Sequence, residues 1–433
     1  MNATFQSSSH GRLHVHTLQT KKYKTATLWL VLERPLSADD VTEVALLPRI
    51  LLRGTERYKT PEALMQAFDA LYGAGISGVA GKHGDLQTVE FHVQFADETY
   101  LPGYPRVLDE VVQLLADVFL RPAAESERFN ETGVEVEKDL HRQRIENLVN
   151  DKAAYAGDRT LALMCKEEPF GVPRMGYADR VGSITPAGLY KKYREILRDA
   201  TVHLYAVGNF TKEHFDSVAL RAFASLTEMR SAAVETDVSM SSSNPAAPKA
   251  AVTIVEQMDV QQGVLCVGLR SSVFYKDDMY PALLVYNGIL GGFPHSKLFV
   301  NVREKASLAY YASSRMFGLK GVLLIQSGIQ IDHYEQAKAI ILEQIRAMET
   351  EITEEERSFT IQGLINQYLL SDDQPLTDAM MDVYARMGGK KRSVDALIEA
   401  VQAVTIQDVQ AVARTIWVDT IYFLRDEEGK RHA

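Results

Sequence analysis

A chain of 433 residues with 46% apolar content can bury a large core and is long enough for two or more domains. Its formal charge of −10, without a basic stripe, excludes a nucleic-acid binder, and no apolar run approaches the roughly 20 residues that a membrane helix needs. Two widely separated cysteines in apolar surroundings, Cys165 and Cys266, fit buried thiols rather than a disulfide framework, and residues 1–7 have no leader character, so a soluble cytoplasmic protein is expected.

Residues 12–18 and 25–32 read as strands joined by a basic turn, Lys21-Lys22-Tyr23-Lys24. His14 and His16 share one strand face. Such a pair can bind metal, but without a third ligand nearby they read as two half-exposed strand residues. Across 44–55 (VALLPRILLRGT), Val44, Leu47, Leu51 and Leu52 recur at helical spacing, Asp39, Asp40 and Thr42 offer capping oxygens, and Gly54 is a natural stop. Pro48 lies inside and should kink the helix or push its first full turn later. A helix over 60–72 leads to strands over 75–82 and 86–95, the first of them rich in small residues. Long helices follow over 104–119 and 125–165.

The chain then repeats itself. Residues 184–207 hold a capped helix and then a strand, and residues 404–425 hold the same plan at an offset of 220 (405 less 185). Thr185 matches Thr405 as N-cap, Leu189 matches Val409, and Thr201-Val202 aligns with Ile421-Tyr422. The chain therefore divides into a domain over 1–228, a polar linker over 229–250 and a second domain over 251–433. The fold class expected is α+β, with two homologous layered domains, each a mostly antiparallel sheet backed by helices. The second half should have strands over 251–257, 263–270 and 322–331, and helices over 279–290, 333–349, 353–369 and 375–386. Gly291-Gly292 follows a helix and lacks Walker spacing, so it is no phosphate loop, and Asp372, Asp373 and Asp378 read as a solvated turn.

Three stretches carry a family resemblance: Arg53-Gly54-Thr55 after an apolar helix, Leu71-Tyr72-Gly73-Ala74, and Val302-Arg303-Glu304-Lys305 running to Leu308-Ala309-Tyr310. In this order they resemble the inverted-zincin peptidases, the pitrilysin and mitochondrial processing peptidase family, over nearly the whole chain. The resemblance implies a clam-like pair of domains of processing-peptidase type. Residues 150–152, Tyr155 and 165–171 resemble its YmfF-like branch of Gram-positive bacteria, whose members lack the zinc motif.

In that family an H-x-x-E-H helix holds zinc and polarises water. Its places fall here on Ala45, Pro48 and Arg49, which offer no donor atom, no base and a permanent cation. The family's third ligand lies seven residues after the Glu of an E-K pair; Glu137-Lys138 matches the pair, and the position holds Arg144. Nearby Glu131, Glu135 or Glu146 cannot replace two lost imidazoles, so no metal is expected in this chain.

The resemblance also implies that Ile76, Ser77, Gly78, Val79 and Ala80 form an edge strand that pairs with extended substrate. An ordinary edge strand, thinned to fit a neighbour, explains the same residues. Arg303 and Tyr310 would project into a proteolytic chamber and hold peptide carbonyls. Alternatively, Arg303 pairs with an internal carboxylate and Tyr310 packs at a strand start. Ser307 stands where the family has Gly, which bears on the turn between them.

Three functions follow. The chain is a non-catalytic subunit whose homologous partner carries H-x-x-E-H and the zinc, forming a heterodimer that acts on a peptide or small protein. Or it is a non-enzymatic peptide-binding or assembly protein. Or it is a hydrolase with rearranged ligands, which His10, His14, His16, His83 and His92 do not assemble. The retained Arg303–Tyr310 spacing favours the first.

Overall fold

A computed structural model describes residues 4–101, 103, 106–228, 250–371 and 374–427. They fall into two compact units. The first comprises Met1–Glu146, Val172–Val238 and Gln374–Asp382, and the second comprises Asn147–Gly171, Ser239–Asp373 and Val383–Ala433.

In the first unit the strands are β1 (Gln6–His10), β2 (Leu13–Gln19), β3 (Thr25–Pro35), β4 (Gly75–His83) and β5 (Leu86–Ala96). A small ribbon of β6 (Ala124–Glu125) and β7 (Arg128–Phe129) stands apart, and β8 (Thr201–Gly208) completes the main sheet. Its order is β1-β2-β8-β3-β5-β4. β2 runs parallel to β8, and the other neighbours are antiparallel. Alternate residues such as Leu28, Leu30, Phe91 and Val93 face one way and form the core with Val44, Leu47, Val111, Leu115 and Leu189 of the covering helices.

The second unit has β9 (Val252–Gln257), β10 (Gly263–Ser271), β11 (Ala309–Phe317), β12 (Val322–Ile329) and β13 (Ile416–Arg425), in the order β11-β12-β10-β13-β9. Writing β9 to β13 for β2, β3, β4, β5 and β8 reproduces the order of the first unit, including the parallel pairing of first and last strands. The duplication is therefore topological as well as local, and the two mostly antiparallel sheets give the α+β class expected. Its caps agree too. Thr185 accepts from the Gly188 amide at 3.1 Å, and Thr405 forms a capping box with Asp408. The second copy's helix is shorter, Ile406–Ala413 against Pro186–Asp199, so β13 starts earlier than the offset predicts.

The domain division departs from a split at 229–250. The second unit takes up residues 147–171 and the first takes up 374–382. Residues 229–249, with Asp372 and Asp373, lie outside the described residues. The expected helix over 125–165 is two helices, Glu131–Glu146 and Lys152–Met164, with a 3-10 turn over Asn147–Asn150 between them. Asn147 and Asn150 favour local hydrogen bonds over the helix ladder, and the Asp151 carboxylate caps the new start by accepting from the Ala154 amide at 2.9 Å. The earlier end is trimmed as well, because Ser126 and Glu127 take left-handed φ in the ribbon turn.

Residues 147–171 join the second unit for reasons of packing and charge. Helix Lys152–Met164 lays Ala156, Leu161 and Met164 against Val264, Cys266, Leu324 and Tyr422. Gly157 is the close approach: a Cβ there would lie 2.8 Å from the Gln326 side-chain amide, which donates to the Ala153 carbonyl at 2.9 Å. Beyond the helix, Glu168 accepts from Arg270 at 2.6 Å and Lys320 at 2.9 Å, while Arg270 also reaches Asp419 at 2.9 Å and the Met164 carbonyl at 3.0 Å. The Arg270 side chain is 1% exposed. Burial opposes its charge, and the two carboxylates more than restore it, so its pKa rises.

Removing one partner of a buried ion pair typically costs about 3–5 kcal/mol, because the other charge stays buried and unpaired. Arg270→Leu is therefore expected to lower unfolding stability by about that much, with Arg270→Lys losing less. Denaturant titration checks it, and a loss below about 1 kcal/mol would show that the network does not anchor the segment.

Candidate functional site

The helix that carries the metal-motif positions runs unbroken over Val41–Leu51. Pro48 neither delays its start nor ends it; only the bond from position 48 is lost, and the Leu52 amide still reaches the Pro48 carbonyl at 3.4 Å. Asp40 occupies the N-cap position without capping, because its carboxylate accepts from Arg34 at 2.8 and 2.7 Å and from Lys192 at 3.2 Å. The exit demands glycine: Gly54 has φ +143, and a Cβ there would lie 2.7 Å from the Tyr58 carbonyl.

Ala45 and Pro48 are buried and Arg49 is exposed. Across from them, on helix Glu131–Glu146, one Glu137 oxygen accepts from Arg53 at 3.2 Å and the other lies 4.0 Å from the Arg144 guanidinium. Lys138 turns to Glu135 at 2.8 Å. His141 lies 2.9 Å from the Met175 carbonyl, and burial pushes its pKa down, which keeps the imidazole neutral and committed. Among the described residues, no three or more His, Cys, Asp or Glu side chains are grouped to hold a metal. Arginines thus surround the carboxylate at this place.

β4 lies at the sheet edge, paired with β5 in a register that sets Ile76 opposite Val93 and Ala80 opposite Val89. Ser77 and Val79 are exposed. Gly78 is the thinned position, since a Cβ there would meet Phe91 at 3.0 Å and Leu52 at 3.1 Å. The strand is fitted to its core neighbours on one face and open along one edge.

The face of this sheet opposite the core carries a feature that sequence reasoning missed. His14 stacks on His203 (ring centroids 4.9 Å apart), His203 on His16 (5.2 Å), and His16 on Tyr205 (4.3 Å); Trp29 continues the row from Tyr205 (5.8 Å) to His92 (5.2 Å). His16 is buried rather than half-exposed. Ser7 approaches its Nδ1 at 2.8 Å, and its Nε2 lies 3.0 Å from His203 Nδ1. The available signal was the period-2 spacing of His14 and His16 along β2 and of His203 and Tyr205 along β8. Beside this row sits buried Glu90, which accepts from Trp29 at 3.2 Å and from Thr88, with His83 and His92 each at 3.3 Å. Burial opposes its charge, but those donors hold its carboxyl well below the usual range.

In the second unit Arg303 lies in a π-helical turn, Phe299–Lys305, exposed, with its guanidinium 4.5 Å from the Phe299 ring. Tyr310 is 56% exposed at a register shift between Ala309 and Tyr311, so a bulge aims it off the edge strand β11. Between the two, Ser307 takes φ +52, a left-handed conformation that glycine adopts at less cost.

Comparisons with known proteins agree on one family. A family profile, "Peptidase M16 inactive domain", matches residues 183–364. "Probable inactive metalloprotease YmfF" of Bacillus subtilis is 36% identical over 424 residues, covering 98% of each chain. "Uncharacterized zinc protease YmxG" of the same organism is 23% identical over 350 residues, covering 75% of this chain and 78% of its own. A crystal structure of a conserved protein from Enterococcus faecalis V583 superposes with a TM-score of 0.90 at 26% identity, covering 98% and 99%.

Two outcomes follow from the geometry. Ser307→Gly should raise stability by about 0.5–1 kcal/mol, the relief of left-handed strain exceeding the entropy glycine adds to the unfolded chain; unchanged or lower stability would remove the strain. Glu90, whose pKa is depressed on folding, adds stability that is present above its unfolded value of about 4.3 and lost as pH falls through the folded one. The stability gap between wild type and Glu90→Gln should therefore be full near pH 7 and narrow progressively as pH falls below about 4, and a gap that does not change with pH would contradict the charged state.

Proposed function

The chain belongs to the M16 peptidase family, and on that premise we propose that it is the non-catalytic subunit of a cytoplasmic two-chain zinc peptidase. It is metalloprotease-like in fold, yet Ala45, Pro48, Arg49 and Arg144 stand where the metal chemistry would be. Among the described residues, no helix is long and apolar enough to cross a membrane. A homologous partner bearing H-x-x-E-H supplies zinc and base. This chain contributes the β4 edge and half of the chamber, and it holds peptide carbonyls through Arg303 and Tyr310.

One observation carries the reading: Arg303 and Tyr310 keep the family's spacing and are both exposed, beside a strained Ser307 turn. A guanidinium and a phenol left uncommitted to a core can each donate to a carbonyl that is turning into an oxyanion. Bacillus subtilis has both a relative named as a probable inactive metalloprotease and one named as a zinc protease, which supports a pair of unlike chains. A peptide-binding or assembly role without cleavage is the second reading, and the open edge of β4 favours it equally.

The test is co-purification with the zinc-bearing homologue from the same cell, followed by peptide cleavage. Loss of one oxyanion donor typically slows acyl transfer by about 10²–10³. Arg303→Ala and Tyr310→Phe should each slow turnover substantially while the complex still assembles, and Arg49→Ala and Arg144→Ala should leave it largely unchanged. Full turnover with both Arg303 and Tyr310 variants would hand the protein to the binding reading. One tightly held zinc in this chain alone, with chelator-sensitive cleavage, would end both.

A further inference from the structure

The ring row in the first unit ends at a cavity of about 520 Å³. Thr27, Ser77, His92 and Gln94 of β3, β4 and β5 line it, and Gln374 and Leu376 complete the wall. This volume lies within the range of small-ligand pockets and admits one large side chain. Among the described residues the lining holds no carboxylate, ammonium or guanidinium, which suits an uncharged occupant. His92 is the ring that meets the cavity. It is stacked on Trp29 with an interplanar angle of 19°, and its Nε2 is held by Glu90 at 3.3 Å, so its plane is fixed from two directions. A further ring placed against it would continue a row already six rings long, His14, His203, His16, Tyr205, Trp29 and His92.

The backbone beside the cavity says how such a ring would arrive. Gly75 opens β4, lines the cavity, and has no atom within 4 Å of where its Cβ would stand. β4 pairs on one side with β5, and an extended peptide on its other side would send alternate side chains over the face that bears Ser77 and His92. We propose that this cavity is a specificity pocket for an aromatic side chain of an extended peptide paired with β4. The proposal rests on the peptide-binding reading of that strand and adds the class of residue it selects.

Three ligands test it on the full chain: a ten-residue uncharged peptide with one Phe, the same peptide with Ala in its place, and N-acetyl-phenylalaninamide as a free aromatic. Trp29 emission reports occupancy, with Trp417→Phe removing the other indole. The Phe peptide should bind about tenfold tighter than the Ala peptide. The free amide should bind at least about 100-fold more weakly than the Phe peptide, since it lacks the strand hydrogen bonds. Gly75→Leu, which fills the cavity from a position where a Cβ meets open space, should abolish the preference for Phe with the melting temperature retained. Equal binding of the two peptides would refute the pocket and leave the edge-strand reading standing, whereas no binding of either would refute both. A free amide as tight as the peptide, or a preference that survives Gly75→Leu, would also overturn the assignment.

Discussion

Arg270 is the constraint on which the second unit depends. It sits on β10, inside the sheet, and a guanidinium there is tolerable only where carboxylates meet it. Asp419 comes from the adjacent β13, but Glu168 comes from a segment that precedes β10 in the chain by about a hundred residues. Meeting Arg270 and Lys320 therefore fixes where residues 147–171 must go. Once Glu168 is held, helix Lys152–Met164 lies over Val264, Cys266, Leu324 and Tyr422, and a face of the second sheet gains an apolar cover. Cys165 and Cys266 are buried by the same packing, which pushes both thiols up to about 12 and makes them unreactive.

The first unit solves the corresponding problem with the opposite charge. Its sheet has the same strand order, yet the face away from its core is a row of rings with Glu90 beside it. A carboxylate hydrogen-bonded by an indole, a hydroxyl and two imidazoles needs no cation of fixed charge to stay ionised. Two copies of one topology have thus diverged in what their second faces carry: an apolar helix anchored by ion pairs in one, and in the other a buried row of rings that Asp382 meets, 3.2 Å from Tyr205 and 3.9 Å from His16. Duplication preserved strand pairing, which is backbone work, and left the faces free to change.

That distinction also separates what is legible in the sequence from what is not. Features written within a few residues were legible: the Thr185 and Thr405 caps, the strands of both halves, the edge character of β4, and the R-G-T and V-R-E-K stretches. Features decided by distant partners were not. His16 looks half-exposed along β2 alone and is buried by β1 and by His203, which lies 187 positions away. Asp40 reads as a cap until Arg34 and Lys192 claim its carboxylate. The break at Asn147–Asn150 is weak locally and becomes sharp because the chain changes units there. Contiguous domain boundaries fail for the same reason, since the ion pair that moves residues 147–171 is invisible in periodicity.

The two family motifs have aged differently, and the difference bears on function. At the metal motif the replacements remove the chemistry but not every cost, since Pro48 stands inside the helix and deletes one of its backbone bonds. Ala45 and Pro48 are buried, Arg49 faces water where its charge costs little, and Arg53 and Arg144 flank the Glu137 carboxylate. One Glu137 oxygen there is buried without a hydrogen-bond partner among the described residues. At the second motif the chain still bears a cost. Ser307 keeps a left-handed turn that would be easier with glycine, a π turn carries Arg303, and a bulge turns Tyr310 away from the sheet. Strain of about 1–3 kcal/mol persists only where surrounding structure enforces it, and such strain gathers at sites that must present particular side chains. A chain that had become only a scaffold would gain by relaxing this turn, so its persistence supports the proposed subunit, which lacks the metal ligands and holds the peptide.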